Sequence, residues 1–152
     1  MATSTEPDSY LTSTSIALDS GSIARFAAQF DPQPYHLDRE AAANSIFGGL
    51  CASGWHIAAL ATRLTVETLL KHGIAYVTMT SVGELKWTRP SFVDEQIGVR
   101  LTLGERAGDS PIPDTDRLDL LVDVHNGEGD IVATMTASAA VTRDPTAEEV
   151  AP

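Results

Sequence analysis

The chain has 152 residues, 43% hydrophobic and 20% charged, and its 10 basic and 21 acidic residues give a net charge of −11. This length is enough for one domain with a sizeable core. The acidic balance argues against nucleic-acid and anionic-membrane partners, which require clustered lysine and arginine.

The chain also lacks the signals of export and membrane insertion. Residues 1–15 are polar and contain no apolar signal region. The most apolar stretch, residues 55–70, contains Arg63 and Glu67, which argues against a membrane span. The single cysteine, Cys51, excludes an internal disulfide framework and is read as a small buried side chain. We therefore expect a cytoplasmic protein.

The domain is expected to occupy residues 13–142, between a flexible arm at 1–12 and an acidic tail at 143–152. A short strand is predicted at residues 16–18. A helix should follow, with Ser20 or Ser22 as its N-cap. Its apolar residues recur at intervals of three and four, at Ile23, Phe26, Ala27 and Phe30.

The segment Asp31-Pro32-Gln33-Pro34-Tyr35-His36 follows this helix and is the most informative part of the sequence. Two prolines restrict its backbone, so Asp31 and His36 can converge on one small site. A carboxylate and a neutral imidazole side by side can hold a water molecule and move its protons. The alternative is a proline-rich loop whose aspartate caps the next element and whose histidine is merely exposed.

A long helix is predicted over residues 54–72. Ser53 can cap its start, while Lys71 and Gly73 are typical of a helix end. Its apolar side chains spread around much of the circumference, which indicates a helix buried inside the molecule. A shorter helix, capped by Asp38, is expected just before it.

Beyond Gly73 the hydrophobic period changes from 3.6 to 2. Alternating runs cover residues 77–87, 97–103, 118–124 and 133–141, and residues 126–130 predict a hairpin turn. The predicted fold class is therefore α+β, with an antiparallel sheet of about five strands around the long helix.

This order of elements resembles the hotdog-fold MaoC-like dehydratases and (R)-specific enoyl-CoA hydratases. The group's D-x-N-P-x-H motif corresponds to Asp31–His36, with Gln33 in place of asparagine. Its second signature is an aromatic residue followed by A-H-G at the start of the central helix. Here Phe47 is the aromatic residue, and Ser53 replaces the histidine before Gly54.

The resemblance implies reversible hydration of a 2-enoyl-CoA to a 3-hydroxyacyl-CoA, and no cofactor is expected. A metal site is not expected either, because no two histidines have the i, i+4 or HExxH arrangement. Asp31 would be the general base, His36 would hold the water and shuttle its proton, and the Gly54 N–H would stabilise the enolate. The residues assigned to substrate binding are Ser53, Tyr35, Phe47 and Trp55.

The resemblance further implies a homodimer or a dimer of dimers, with an acyl-CoA thioester as the small-molecule partner. The candidates for contacts with CoA phosphates are Lys86, Arg89, Arg100 and Arg106. His56 is expected to be a hydrogen-bonded structural residue. Two other functions stay open: a hotdog acyl-CoA thioesterase, and a non-catalytic acyl-CoA-binding subunit.

Overall fold

The computed structural model describes residues 10–143. The elements in chain order are β1 (Tyr10–Thr12), β2 (Ile16–Ala17), α1 (Ser20–Phe30), α2 (Pro34–Leu37), α3 (Arg39–Ala43), α4 (Gly54–Lys71), β3 (Tyr76–Trp87), β4 (Gln96–Ala107), β5 (Thr115–His125) and β6 (Ile131–Thr142). The last three residues of the predicted arm thus form a strand. The rest of the arm, and the tail from residue 144, lie outside the described residues.

One antiparallel sheet runs in the order β1-β4-β5-β6-β3, and β2 also pairs with β4. The α+β class is confirmed, with six strands rather than about five. The predicted hairpin joins β5 to β6, where the Asn126 N–H donates to the Asp130 carbonyl at 3.0 Å. Among residues 10–143, strand β3 lies at one edge of the sheet and pairs only with β6.

Helix α4 packs one face against the sheet. Its side chains Ile57, Ala61, Leu64 and Leu69 are at most 2% exposed and join a core built largely from β4, β5 and β6. Burying each large aliphatic side chain stabilises the fold by about 1.5–3 kcal/mol. The opposite face is open: Trp55 is 58% exposed and Leu70 is 54% exposed. None of the helices in residues 10–143 has the length and hydropathy to span a membrane.

The helix ends follow from capping chemistry. Ser53 caps α4 as predicted, and its hydroxyl accepts a hydrogen bond from the Trp55 N–H at 3.3 Å. The prediction for α1 was wrong, because Asp19 is the N-cap and accepts from the Ser22 N–H at 2.8 Å. After α4 the chain turns at Gly73 with φ of +76°, a conformation that glycine adopts without strain.

Candidate active site

Helix α1 ends at the first residue of the predicted site. Pro32 disfavours helical geometry at Asp31, which has φ of −155° while its N–H still donates to the Ala27 carbonyl at 2.9 Å. Pro34 then occupies the first position of the single helical turn α2, which contains His36. The six-residue segment is therefore a helix end followed by a new helical turn, and it brings the carboxylate and the imidazole together.

His36 is 6% exposed, and both of its ring nitrogens face oxygen atoms. Nδ1 lies 2.6 Å from the Cys51 carbonyl oxygen, and Nε2 lies 3.5 Å from Asp31 Oδ2. A carbonyl oxygen can only accept, so Nδ1 carries the proton in the neutral ring and Nε2 presents its lone pair. Nε2 and the Asp31 carboxylate are then two neighbouring acceptors, an arrangement suited to a molecule with two O–H donors, such as water.

Ser53 contacts the same carboxylate from the start of α4. Its side chain is fully buried, and its Oγ donates to Asp31 Oδ2 at 2.7 Å. It is not among the residues that line the adjacent cavity. The structure therefore puts Ser53, which we expected to contact substrate, in contact with the Asp31 carboxylate.

A cavity of about 330 Å³ opens beside His36. Its lining residues are Tyr35, His36, Phe47, Cys51, Ala52, Gly54, Ile57, Trp87, Thr88, Arg89, Pro90 and Ser91. Four of the predicted site residues thus share one cavity, whereas Asp31, Ser53 and Trp55 are not part of the lining. The Tyr35 ring meets His36 edge-on at 4.5 Å and lies 4.9 Å from Phe47, so these aromatic rings form one wall.

The Trp87 indole covers the start of α4. Its Nε1–H donates to the Gly54 carbonyl at 2.7 Å, and a Cβ added at Gly54 would lie 2.7 Å from the indole ring. Only glycine permits this close approach without a shift of the indole. The Gly54 N–H belongs to the first turn of the helix and has no intrahelical acceptor. The Trp55 ring packs edge-on against the Trp87 indole, with ring centroids 4.9 Å apart.

A short antiparallel contact attaches the link after β3 to this site. The Ala52 N–H donates to the Ser91 carbonyl at 2.8 Å, and the Val93 N–H donates to the Leu50 carbonyl at 3.0 Å. Sequence reasoning did not identify this contact or the role of the Cys51 carbonyl. Both use backbone groups, which every residue carries, so side-chain patterns contain no signal for them.

The four basic residues considered for CoA phosphates are spread apart. Arg89 lines the cavity and pairs with Asp130 at 2.8 Å. The pairs of the other three are Lys86 with Glu84, Arg100 with Asp123 and Arg106 with Asp116. Only Arg89 therefore belongs to the site.

Burial shifts the pKa of two other titratable side chains near the start of α4. Desolvation raises the pKa of the Cys51 thiol, which favours the protonated, unreactive form. Desolvation lowers the pKa of His56, partly offset by Asp19. The prediction of a hydrogen-bonded His56 was wrong for Nδ1, which is buried without a partner while the ring stacks on Phe26 at 4.8 Å. Within residues 10–143, no group of three or more His, Cys, Asp or Glu side chains has the arrangement of a metal site.

Comparisons with known proteins agree with this architecture. The crystal structure of a MaoC-like dehydratase from Rhodospirillum rubrum is 36% identical, with a TM-score of 0.74 over 90% of this chain and 92% of that chain. An (R)-hydratase from A. caviae involved in PHA biosynthesis shares the fold at 24% identity, with a TM-score of 0.68 over 91% of this chain and 98% of that one.

Among curated proteins, the uncharacterized protein YdeM of Bacillus subtilis is 30% identical over 83 residues, which are 55% of this chain and 58% of that protein. The family described as "MaoC like domain" matches residues 2–116. The fold is thus the hotdog type of these dehydratases, and the chain belongs to the MaoC-like domain family.

Proposed function

We propose that the protein catalyses reversible addition of water to a 2-enoyl-CoA thioester, giving the 3-hydroxyacyl-CoA. The observation that carries this proposal is the pair of acceptors formed by the Asp31 carboxylate and His36 Nε2. Oδ2 of the carboxylate lies 3.5 Å from Nε2, and His36 lines a largely apolar cavity. Family membership and the similarity to a MaoC-like dehydratase support the reaction class. The reaction needs groups that move the protons of the water and a donor for the thioester oxygen.

In the hydration direction, Asp31 and His36 hold one water against Cβ of the substrate. As the water oxygen bonds to Cβ, one of its protons passes to the Asp31 carboxylate, and the π electrons of the double bond move toward the thioester oxygen. His36 holds the same water and shuttles the proton to Cα, so that one water is added and both side chains recover their starting forms. General acid–base catalysis of this kind contributes about 10²- to 10⁴-fold.

The negative charge that develops on the thioester oxygen needs a donor. The Gly54 N–H has no intrahelical acceptor, lies at the positive end of α4, and shares the cavity with His36. Loss of one donor from such a site costs about 2.7–4 kcal/mol in transition-state stabilisation. The Trp87 indole donates to the Gly54 carbonyl, which belongs to the next peptide of the same helix start, and so helps to fix this turn of α4.

We further propose that two copies pair along β3. No other strand within residues 10–143 covers the outer edge of this 12-residue strand, which carries Val77, Val82 and Trp87, all more than 40% exposed. A long exposed edge of this kind is normally covered in a native protein. Because Trp87 also lines the cavity, a second copy on this edge would lie next to the site.

The test is consumption of crotonyl-CoA followed by its enoyl absorbance, with free thiol measured in parallel. We expect absorbance to fall without thiol release, and we expect Asp31→Asn and His36→Ala each to lower kcat at least 100-fold. Asp38→Asn is the matched control: Asp38 caps α3 through the Glu40 N–H, and asparagine caps equally well, so its rate should stay at the wild-type level.

Thiol release by the wild type would identify a thioesterase instead. If the wild type binds crotonyl-CoA and longer or branched enoyl-CoAs but turns over none of them, the protein is an acyl-CoA-binding subunit.

A further inference from the structure

We propose that Ser53 is a positioning residue that fixes the Asp31 carboxylate for proton transfer. This inference rests on the proposed hydratase function and adds a third side chain to the pair. Its starting observation is the hydrogen bond of 2.7 Å from Ser53 Oγ to Asp31 Oδ2, made by a hydroxyl that is wholly buried.

The Ser53 hydroxyl makes two hydrogen bonds, one as a donor and one as an acceptor. It donates its proton to Asp31 and accepts from the Trp55 N–H at 3.3 Å. The backbone donor belongs to the first turn of α4, an 18-residue helix packed in the core. The hydroxyl therefore links the carboxylate to a rigid element, although Asp31 itself stands at the end of the separate helix α1.

This link selects which carboxylate oxygen is free. Oδ2 receives the Ser53 proton and faces His36 Nε2. Within residues 10–143, no side chain or backbone group donates a hydrogen bond to Oδ1. Oδ1 is thus the oxygen that remains for the water, and its direction is set once the Ser53 hydroxyl holds Oδ2. Without Ser53 the carboxylate could rotate about its terminal torsion, which has broad, shallow energy wells.

A purely structural role as the N-cap of α4 is the competing explanation. The two roles differ in their dependence on Asp31, because a cap supports the helix whatever occupies position 31. We therefore measure Ser53→Ala in the wild type and in the Asp31→Asn background. In the wild type we expect kcat on crotonyl-CoA to fall about 10- to 100-fold, the usual effect of a misplaced catalytic group, with KM unchanged. In the Asp31→Asn background we expect no further loss.

Two more variants complete the kinetic test. Ser53→Thr keeps a hydroxyl and should recover most of the rate. Asp19→Ala removes the N-cap of α1, which lies outside the cavity, and should lower thermal stability without lowering kcat. Equal losses from Ser53→Ala in both backgrounds, or a kcat within twofold of wild type, would overturn the inference.

A readout that needs no turnover separates this inference from the proposed function. In protein labelled with ¹³C-aspartate, the Asp31 carboxyl resonance is assigned through Asp31→Asn. We expect Ser53→Ala to move this resonance and Asp19→Ala to leave it in place. If the wild type hydrates no enoyl-CoA and the resonance still moves, the proposed function fails while the placement of Asp31 by Ser53 stands. An unmoved resonance contradicts the placement.

Discussion

At the scale of single residues, the contact between Gly54 and Trp87 shows how the site constrains its own sequence. The indole needs the space that a Cβ would fill, and it holds the Gly54 carbonyl by a hydrogen bond of 2.7 Å. Both residues line the cavity beside His36. The glycine of the A-x-G signature therefore has a packing reason in this chain, in addition to the catalytic role proposed for its N–H.

Gly54→Ala should destabilise the protein by about 1–3 kcal/mol, the usual cost of overpacking a filled site. The added methyl would lie 2.7–3.0 Å from three indole atoms, so Trp87 must move. Urea unfolding measures this loss. Gly49→Ala is the matched control, because its Cβ would meet Phe92 at an ordinary 3.6 Å, and its effect should stay within about 0.5 kcal/mol.

A loss from Gly54→Ala that persists in a Trp87→Ala background would contradict this account. With the indole removed, the alanine should be tolerated.

At the scale of elements, α4 carries a buried histidine that links stability to pH. The His56 ring is 7% exposed and stacks on Phe26, and desolvation lowers its pKa below the ordinary value. The unfolded chain then binds the His56 proton more readily than the folded chain. The His56 contribution to the free energy of unfolding is therefore fully present above about pH 6.5, and it is lost as the pH falls from there toward the folded pKa.

We expect wild-type unfolding free energy to decline below about pH 6.5, with a His56 contribution of at most about 1.4 kcal/mol per pH unit. His56→Phe preserves the stacked ring and removes the titrating group, so its profile should be flatter over the same range. Urea titrations of both proteins from pH 5 to 8 make the comparison. Parallel profiles would mean that His56 does not cause the decline.

The helix ends and strands show how far sequence reasoning reaches. Local chemistry predicts three of these features. A serine cap and a C-terminal glycine give the bounds of α4, and a proline after Asp31 gives the end of α1. The turn residues 126–130 give the hairpin after β5. The N-cap of α1 was misassigned because Ser20, Ser22 and Asp19 are all good caps, and only the backbone geometry decides among them.

The partners of the site were harder to predict for a different reason. The Cys51 carbonyl at His36 and the Ser53 hydroxyl at Asp31 join segments that are 15 and 22 residues apart in the chain. Such contacts depend on how α1, α2 and α4 pack together, and no local pattern encodes that packing. Trp55 and Trp87 look alike in sequence, yet only Trp87 lines the cavity.

At the scale of the whole molecule, the exposed edge of β3 predicts the oligomeric state. We expect a mass of about twice the 16.1 kDa chain by sedimentation equilibrium. Val82→Lys puts a charge on the free edge and should shift the protein toward the monomer. Leu121→Lys is the control, because Leu121 is 38% exposed but lies on the central strand β5. A monomeric wild type would contradict the proposed pairing.

The central claim is that Asp31 and His36 act as one unit on one water. The most direct measurement is kcat/KM on crotonyl-CoA for the wild type, Asp31→Asn, His36→Ala and the double variant. Residues that act as a unit have strongly non-additive effects. We therefore predict that the double variant is no slower than the slower single variant. Losses that multiply in the double variant, or a single variant that keeps the wild-type rate, would contradict the account.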